Sequence, residues 1–187
     1  MRMTRMTALS PIFAILILSP LSANTFKAFK NSFDERVPKA SIEKTLKAFH
    51  EKDPSLKSFL EKSVGLVIFP NIGKGGIGLG GAYGKGELRV DGKELGLVSV
   101  KQVSYGLQLG GQSFSQLVIF NTEEALKKFK KGSFEFGAQV SAVAADKGAG
   151  AEATFNQGIA VFTIAKGGLM YQASVGGQKF SYKAYQK

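Results

Sequence analysis

The chain contains no cysteine and no tryptophan, and it has a single histidine. Without cysteine there is neither a disulfide nor a thiolate metal site. His50, as the lone histidine, cannot form a multi-histidine metal site or pair convincingly with a nucleophile, so we expect it at the surface or at a boundary. Phenylalanine, with 15 residues, is then the main aromatic residue available to pack the core. The length of 187 residues suits one domain with a sizeable core.

The first 23 residues have the features of a secretory signal peptide. Arg2 and Arg5 form a basic start, residues 12–18 (IFAILIL) are an apolar stretch too short to span a bilayer, and residues 21–23 (LSA) resemble a cleavage site. We predict cleavage after Ala23, with an uncleaved anchor as the alternative. An export signal on a chain without cysteine fits a periplasmic or secreted protein of a Gram-negative cell.

The net charge is strongly positive. It is +11 for the whole chain, and loss of residues 1–23, with two arginines and no acid, lowers it to +9. Such a surplus favours anionic partners, namely acidic lipid headgroups, nucleic acid or acidic proteins. An exported protein does not ordinarily meet nucleic acid, so we expect a membrane surface as partner and no nucleic acid. The alternative is that the charge serves solubility alone.

The N-terminal third predicts helices. Phe26, Phe29 and Phe33 recur at helical spacing, with Lys27 and Lys30 on the flanks, so residues 24–36 form either an interfacial amphipathic segment or a helix docked on the sheet. A second helix is predicted from Ser41 as N-cap to about Glu51, and a third starts at Asp53-Pro54. A later helix begins after Thr122, has acids in its first turn and ends in lysines before Gly132.

The sequence after residue 63 mostly predicts β-strands that bend at glycines. Residues 64–69 are a continuous apolar run, after which the segment to Gly86 carries eight glycines, which mark bulges, bends or close backbone approach. Residues 133–142 alternate as a half-buried strand does, and Asp91-Gly92 and Gly176-Gly177 predict hairpin turns. The fold class predicted is α+β and mostly β: a curved antiparallel sheet or barrel-like β-structure with N-terminal helices and one inserted helix.

Sequence motifs for catalysis are missing. Residues 73–78 formally satisfy GxGxxG, but the residues that follow are poor helix formers, whereas the dinucleotide site needs a helix there. Gly84-Lys85 lacks the rest of a phosphate-binding P-loop, and no GxSxG or HExxH occurs. The acids are scattered among lysines. We therefore predict no enzyme, no catalytic residues, no cofactor and no metal.

Several ordered motifs resemble the SYLF domain family, and most closely its exported bacterial branch. They are Phe69-Pro70, the glycines from Gly78 to Gly86, SYGxQxGGQ at 104–112, LVIFNT at 117–122, EAL at 124–126, KGGLM at 166–170 and GGxK at 176–179. The resemblance covers roughly Ser41 to Lys183. Together with the signal peptide at 1–23 and an amphipathic segment at 24–40, it predicts one SYLF-like domain at 41–187. The tryptophan that many eukaryotic members carry is absent, with Leu97-Val98-Ser99 in that region.

The resemblance implies a non-enzymatic module that binds phospholipids; eukaryotic relatives bind phosphoinositides through a basic amphipathic helix, and some bind actin. We expect binding of anionic phospholipids at a membrane surface in the cell envelope, with a protein–protein or self-assembling scaffold as the alternative. The glycine-rich segment around Lys74 and Lys85 is expected to form a groove. The predicted lipid-binding residues are Phe26, Lys27, Phe29, Lys30, Lys44, Lys47, Lys74 and Lys85.

Overall fold

The computed structural model describes residues 36–77, 79–105, 110–137, 140–146, 148, 153–167 and 175–186. Its elements in chain order are α1 (Lys39–Lys52), α2 (Leu56–Glu61), β1 (Gly65–Ile77), β2 (Leu79–Val90), β3 (Lys93–Tyr105), β4 (Gly110–Phe120), α3 (Glu123–Lys130), β5 (Ser133–Glu135), β6 (Val143–Ala144), β7 (Ile159–Gly167) and β8 (Lys179–Ala184). The predicted α+β, mostly β fold class is confirmed.

The strands form one curled, eight-stranded sheet in the order β5-β8-β3-β2-β1-β4-β7-β6. Every pairing is antiparallel except that of β6 with β7, so the sheet is mixed by one two-residue pair. Asp91 and Gly92 make the tight β2–β3 turn with φ of 50° and 73°, as their sequence predicted. Register shifts near Pro70 interrupt the pairing of β1 with both of its neighbours.

Helices cover parts of both faces. On the inner face, as we call the side that packs on α3, Phe69, Phe114 and Phe120 join Phe129 of α3 and Phe180 of β8 in one buried cluster. On the outer face, α1 and α2 place Ile42, Phe49, Leu56 and Phe59 over β1, β4 and β7. The outer cluster includes no residue of β2, β3 or β8 among those described. Among the described residues, no helix therefore packs over the outer side of β2, β3 and β8.

Glycines allow the crowding on the inner face. A methyl group built on Gly86 would lie 2.5 Å from the Ile68 carbonyl oxygen and 2.6 Å from the Phe69 ring, and one on Gly84 would meet the Ile72 side chain at 2.6 Å. Backbone and side-chain atoms of the neighbouring strand β1 therefore occupy the space that a Cβ would need. In contrast, Gly73 on the outer face has nothing within 4 Å of such a methyl group.

Two helix starts differ from expectation. Helix α1 begins at Lys39 and not after Ser41 as predicted, with Pro38 at its N-cap and no side-chain cap bond. Asp53 is fully buried, and its Oδ1 accepts bonds from Ser55 N (3.0 Å) and Ser55 Oγ (2.6 Å), but α2 begins only at Leu56. The Thr122 cap is as predicted, because its side chain accepts from Ala125 N at 3.3 Å.

The strand predicted over residues 133–142 is wrong in length. The ladder with β8 holds only Ser133–Glu135. Phe136 then bonds to the chain before β8 (Phe136 N to Gln178 O, 2.9 Å), and a turn follows in which Val140 N donates to Gly137 O at 3.1 Å. The alternation of apolar residues persisted through a turn at Gly137, which a period-two pattern alone does not reveal. The alternating residues 169–174 lie outside the described residues.

A charged network fastens α1 and the C-terminus to the sheet. Arg89 of β2 pairs with the buried Glu87 (Nε–Oε1, 2.8 Å) and with Glu43 of α1 (2.8 Å). Glu87 in turn accepts from the Tyr185 hydroxyl at 3.4 Å, and the Arg36 guanidinium lies 4.0 Å from the centre of the Tyr185 ring. Burial, followed by the negative charge of Glu87, raises the pKa of Tyr185 to about 12.

The glycine positions yield a stability prediction. Replacing Gly86 by Ala overpacks the inner face and should lower the free energy of unfolding by about 1–3 kcal/mol. Gly73→Ala, also in the glycine-rich hairpin, meets no atom and should be neutral or stabilising by about 0.5 kcal/mol. Urea unfolding measures both, and equal losses would contradict the assignment of inner-face crowding.

The Tyr185 network yields a pH prediction. The pKa of Tyr185 is raised in the folded state above its ordinary value of about 10, so its stabilisation is present below pH 10 and is lost as pH rises towards 12. Tyr185→Phe should therefore lose stability less steeply between pH 10 and 12 than the parent chain. Burial also raises the pKa of Tyr83 and Tyr182, so a residual slope remains. Urea midpoints across this range test the difference; identical slopes would disprove it.

Candidate functional site: a basic face of the sheet

Three neighbouring strands present lysines on the half of the outer face that no described helix covers. Because Val98, Val100 and Phe180 are buried on the inner side, the residues between them project outward. We call this surface the basic face; its lysines are Lys85 of β2, Lys101 of β3, and Lys179 and Lys183 of β8. Lys101, Lys179 and Lys183 are exposed and Lys85 is half-buried.

Few acids offset these charges. Glu135 of β5 lies beside Lys179, with 3.5 Å between Oε2 and Nζ, and both side chains are largely exposed. Glu87 is on the same side of β2 as Lys85, but it is buried and bonded to Arg89. In the part of the chain that the structure describes, four lysines and two acids, one of them buried, leave the basic face with a positive balance, and Lys85 and Lys183 also make further interactions.

The basic face also carries an exposed apolar side chain. Val103 follows Lys101 by two residues on β3, projects to the same side, and is 63% exposed. No other large hydrophobic side chain stands out as exposed in the part of the chain that the structure describes. Lysines around an exposed aliphatic group suit a surface that is both anionic and partly apolar, such as a bilayer interface.

The residues predicted from sequence fall in different places. Phe26, Lys27, Phe29 and Lys30 lie outside the described residues. Lys44 and Lys47 are exposed on α1, where Lys47 pairs with Glu51 at 3.6 Å. Lys74 and Lys85 do not line one groove: Lys74 pairs across the ladder with buried Ala82 on the inner face, whereas Lys85 opposes exposed Asn71 on the outer face.

Only Lys85 of the basic face was identified from the sequence. Lys101, Lys179 and Lys183 were missed, although the alternation of Phe180, Tyr182 and Ala184 already implied that the lysines between them point away from the core. The sequence does not reveal that β3 pairs with β8. The two strands lie about 80 residues apart in the chain, and their register places Lys101 opposite Lys179.

A second basic pair lies at the helical side of the outer face. Burial and, second, the charge of Lys44 lower the pKa of Lys166 on β7, so the two ammonium groups are neighbours. The ammonium group of Lys44 on α1 therefore repels that of Lys166 on β7.

A cleft of about 520 Å³ opens between α1, α2 and the β2–β3 turn. Leu46, Leu60 and Leu66 contribute apolar lining, while Lys47, His50 and Arg89 are among its polar residues. Lys47 and Arg89 are each paired with a glutamate, so the charges of the cleft are largely compensated. The basic face is therefore a better candidate than this cleft for binding an anion.

Metal and membrane-spanning features were sought in the described residues. No group of three or more His, Asp or Glu side chains there is arranged to hold a metal ion. Within the same residues, no helix is both long and apolar enough to cross a bilayer.

Comparison with known proteins gives two matches. Residues 101–185 match the family model Ysc84, described as "Las17-binding protein actin regulator". The chain is also 27% identical over 137 residues to "Beta cell expansion factor A" of Aeromonas veronii, an alignment that covers 72% of this chain and 51% of the relative. The chain thus spans about half the length of that relative.

The family match agrees with the motifs of the sequence. It runs from Lys101 in β3 through α3 to Tyr185 beyond β8, and it includes three of the four lysines of the basic face. The resemblance to the SYLF domain is thus confirmed by a match of residues 101–185 to the model of the Ysc84 family, the family of that domain.

Proposed function

We propose that this protein binds anionic phospholipid surfaces and carries out no catalysis. The observation that carries the proposal is the basic face: four lysines from three strands, on the half of the outer face that no described helix covers. The resemblance to lipid-binding SYLF domains and the exposed Val103 support it. With the predicted export signal, the surface in question is a membrane of the cell envelope.

The magnitude of the attraction sets limits on this binding. A lysine near an anionic bilayer contributes about 1 kcal/mol, so four contribute about 4 kcal/mol, which alone corresponds to dissociation constants near 1 mM. The attraction falls within a Debye length of about 10 Å at 0.1 M salt. The basic face therefore gives weak, salt-dependent adhesion that further contacts strengthen; Val103 supplies one, and Phe26, Lys27, Phe29 and Lys30 remain predicted contributors.

An acidic protein surface is the second candidate partner. The family description names binding to Las17 and regulation of actin, which are protein partners, and a basic face attracts acidic proteins by the same electrostatics. In this reading the module is a scaffold. An experiment with vesicles and the purified chain alone distinguishes the two hypotheses. Only the lipid hypothesis predicts that the chain binds vesicles when no other protein is present.

Charge removal tests the lipid proposal. Lys101→Gln/Lys183→Gln should weaken the partition of the chain onto phosphatidylglycerol-containing vesicles by about 30-fold, the equivalent of about 2 kcal/mol for two lysines. Replacement of Lys101 should not lower stability, because Lys101 directly opposes Lys179 and like charges at that spacing are destabilising. Co-sedimentation over a series of anionic lipid fractions and salt concentrations measures the partition.

The matched control removes the same charge elsewhere. Lys127 and Lys128 are exposed on α3, which packs on the inner face, so Lys127→Gln/Lys128→Gln should change the partition less than twofold if the basic face does the binding. Equal losses in the two double variants would refute the basic face as the site. Absence of the parent chain from the pellet at every lipid composition and salt concentration would refute lipid binding and leave the protein-partner hypothesis.

A further inference from the structure

The cleft between α1, α2 and the β2–β3 turn has an apolar wall. Leu46 of α1, Leu60 of α2 and Leu66 of β1 all line it, and each is only half-buried although it also packs on the outer cluster. The cleft volume of about 520 Å³ lies within the range of about 300–1,000 Å³ that is typical of small-molecule sites. A compact hydrocarbon group in the cleft would remove the leucine surface from water, which is favourable.

The guanidinium group that lines the cleft is already engaged by acids. Arg89 Nε and Nη1 each lie 2.8 Å from a carboxylate oxygen, of Glu87 and Glu43 respectively. A third carboxylate, that of Glu94, lies 3.7 Å from Arg89 Nη2. Even with Arg36, whose guanidinium joins the same network, carboxylates outnumber guanidinium groups among its described members. An anion would therefore gain little from this wall.

The polar groups of the cleft that keep free capacity are hydrogen-bond acceptors. The carboxylate of Asp91 and the imidazole of His50 line the cleft, and neither makes a hydrogen bond or ion pair with any described residue. A neutral imidazole has one acceptor nitrogen. Ser63 Oγ donates to the Leu60 carbonyl oxygen at 2.7 Å, which leaves its own lone pairs free. Lys93, beyond the turn, is not among the lining residues. These groups favour a ligand that donates hydrogen bonds and carries positive charge.

We propose that this cleft binds an organic cation, namely a primary amine with a compact hydrocarbon body. The body lies against the three leucines, and the ammonium group donates to Asp91 and His50. The carboxylate of Asp91 is exposed, so water screens its attraction and the selectivity for charge is moderate. The cleft shares no residue with the basic face, and its ligand has the opposite charge. This inference therefore does not depend on the proposed lipid adhesion.

The test uses three probes with one hydrocarbon body and different heads: 1-adamantylamine, 1-adamantanol and 1-adamantanecarboxylate. Each is titrated at neutral pH and constant ionic strength, and the NMR signals of the Leu46, Leu60 and Leu66 methyl groups report binding in the cleft. We expect the amine to bind most tightly and the carboxylate most weakly. The two should differ about tenfold, because one head is attracted and the other repelled by an exposed carboxylate.

Removal of one carboxylate tests the role of charge. Asp91→Asn keeps the tight turn, because Asn adopts the φ of 50° at this position as readily as Asp does. It should weaken amine binding about threefold, strengthen carboxylate binding by a similar factor and leave alcohol binding unchanged. The matched control, Glu135→Gln, removes the same charge from β5, outside the cleft, and should leave the affinities for all three probes unchanged.

A polar group in the leucine wall tests the place of binding. Leu46→Gln keeps a good helix former in α1 and should weaken the binding of all three probes alike, by about tenfold. Urea midpoints verify that this variant is folded. Undiminished binding to folded Leu46→Gln would show that the probes bind elsewhere and would overturn the site.

The remaining outcomes separate the ligand class from the site. Alcohol or carboxylate binding at least as tight as that of the amine would overturn the assignment to a cation, and so would an Asp91→Asn variant with unchanged affinities. Leucine methyl signals that stay in place with every probe up to its solubility limit would overturn the cleft as a binding site. None of these results bears on vesicle partition, which tests the basic face.

Discussion

The fold depends on how closely β2 and β3 approach the side chains of their neighbours on the inner face. At Gly84 and Gly86 the space of a side chain is taken by Ile72 and Phe69, and at Gly96 by Tyr182 and the Lys183 carbonyl. A sheet in which one face lacks side chains at successive rows can curl toward that face. The curl brings β8 and the segment before it within reach of α3, where Phe129 lies 5.6 Å from Phe180. The inner core then closes without tryptophan.

The same architecture divides the outer face into two halves of different character. Over β1, β4 and β7, α1 and α2 bury apolar side chains, and the Arg89 network anchors that layer through Glu43. Over β2, β3 and β8 the sheet meets solvent with lysines and serines. The first half buries apolar side chains, whereas Lys101, Lys179 and Lys183 on the second half are exposed to solvent. The proposed adhesion to an anionic surface would use these exposed lysines.

Local signals in the sequence predicted local structure well. Asp91-Gly92, the Thr122 cap and the outward–inward alternation of β8 were readable because each depends on neighbours within a few residues. Long-range register was not readable. Lys101 and Lys179 of the basic face oppose each other only because Ser99 meets Ser181, and no pattern within either strand specifies that pairing. The prediction of a strand through residue 142 was wrong because a local pattern was misleading. The apolar alternation continues past the turn at Gly137, where the strand has already ended.

The opposition of Lys101 and Lys179 has a consequence for the protein's lifetime. A ligand that binds only the folded chain stabilises it by mass action, and here an anionic ligand would also relieve a repulsion that the empty protein bears. Occupied molecules would then open less often than empty ones. Proteases act on transiently opened chains. Turnover would thereby remove empty molecules before occupied ones.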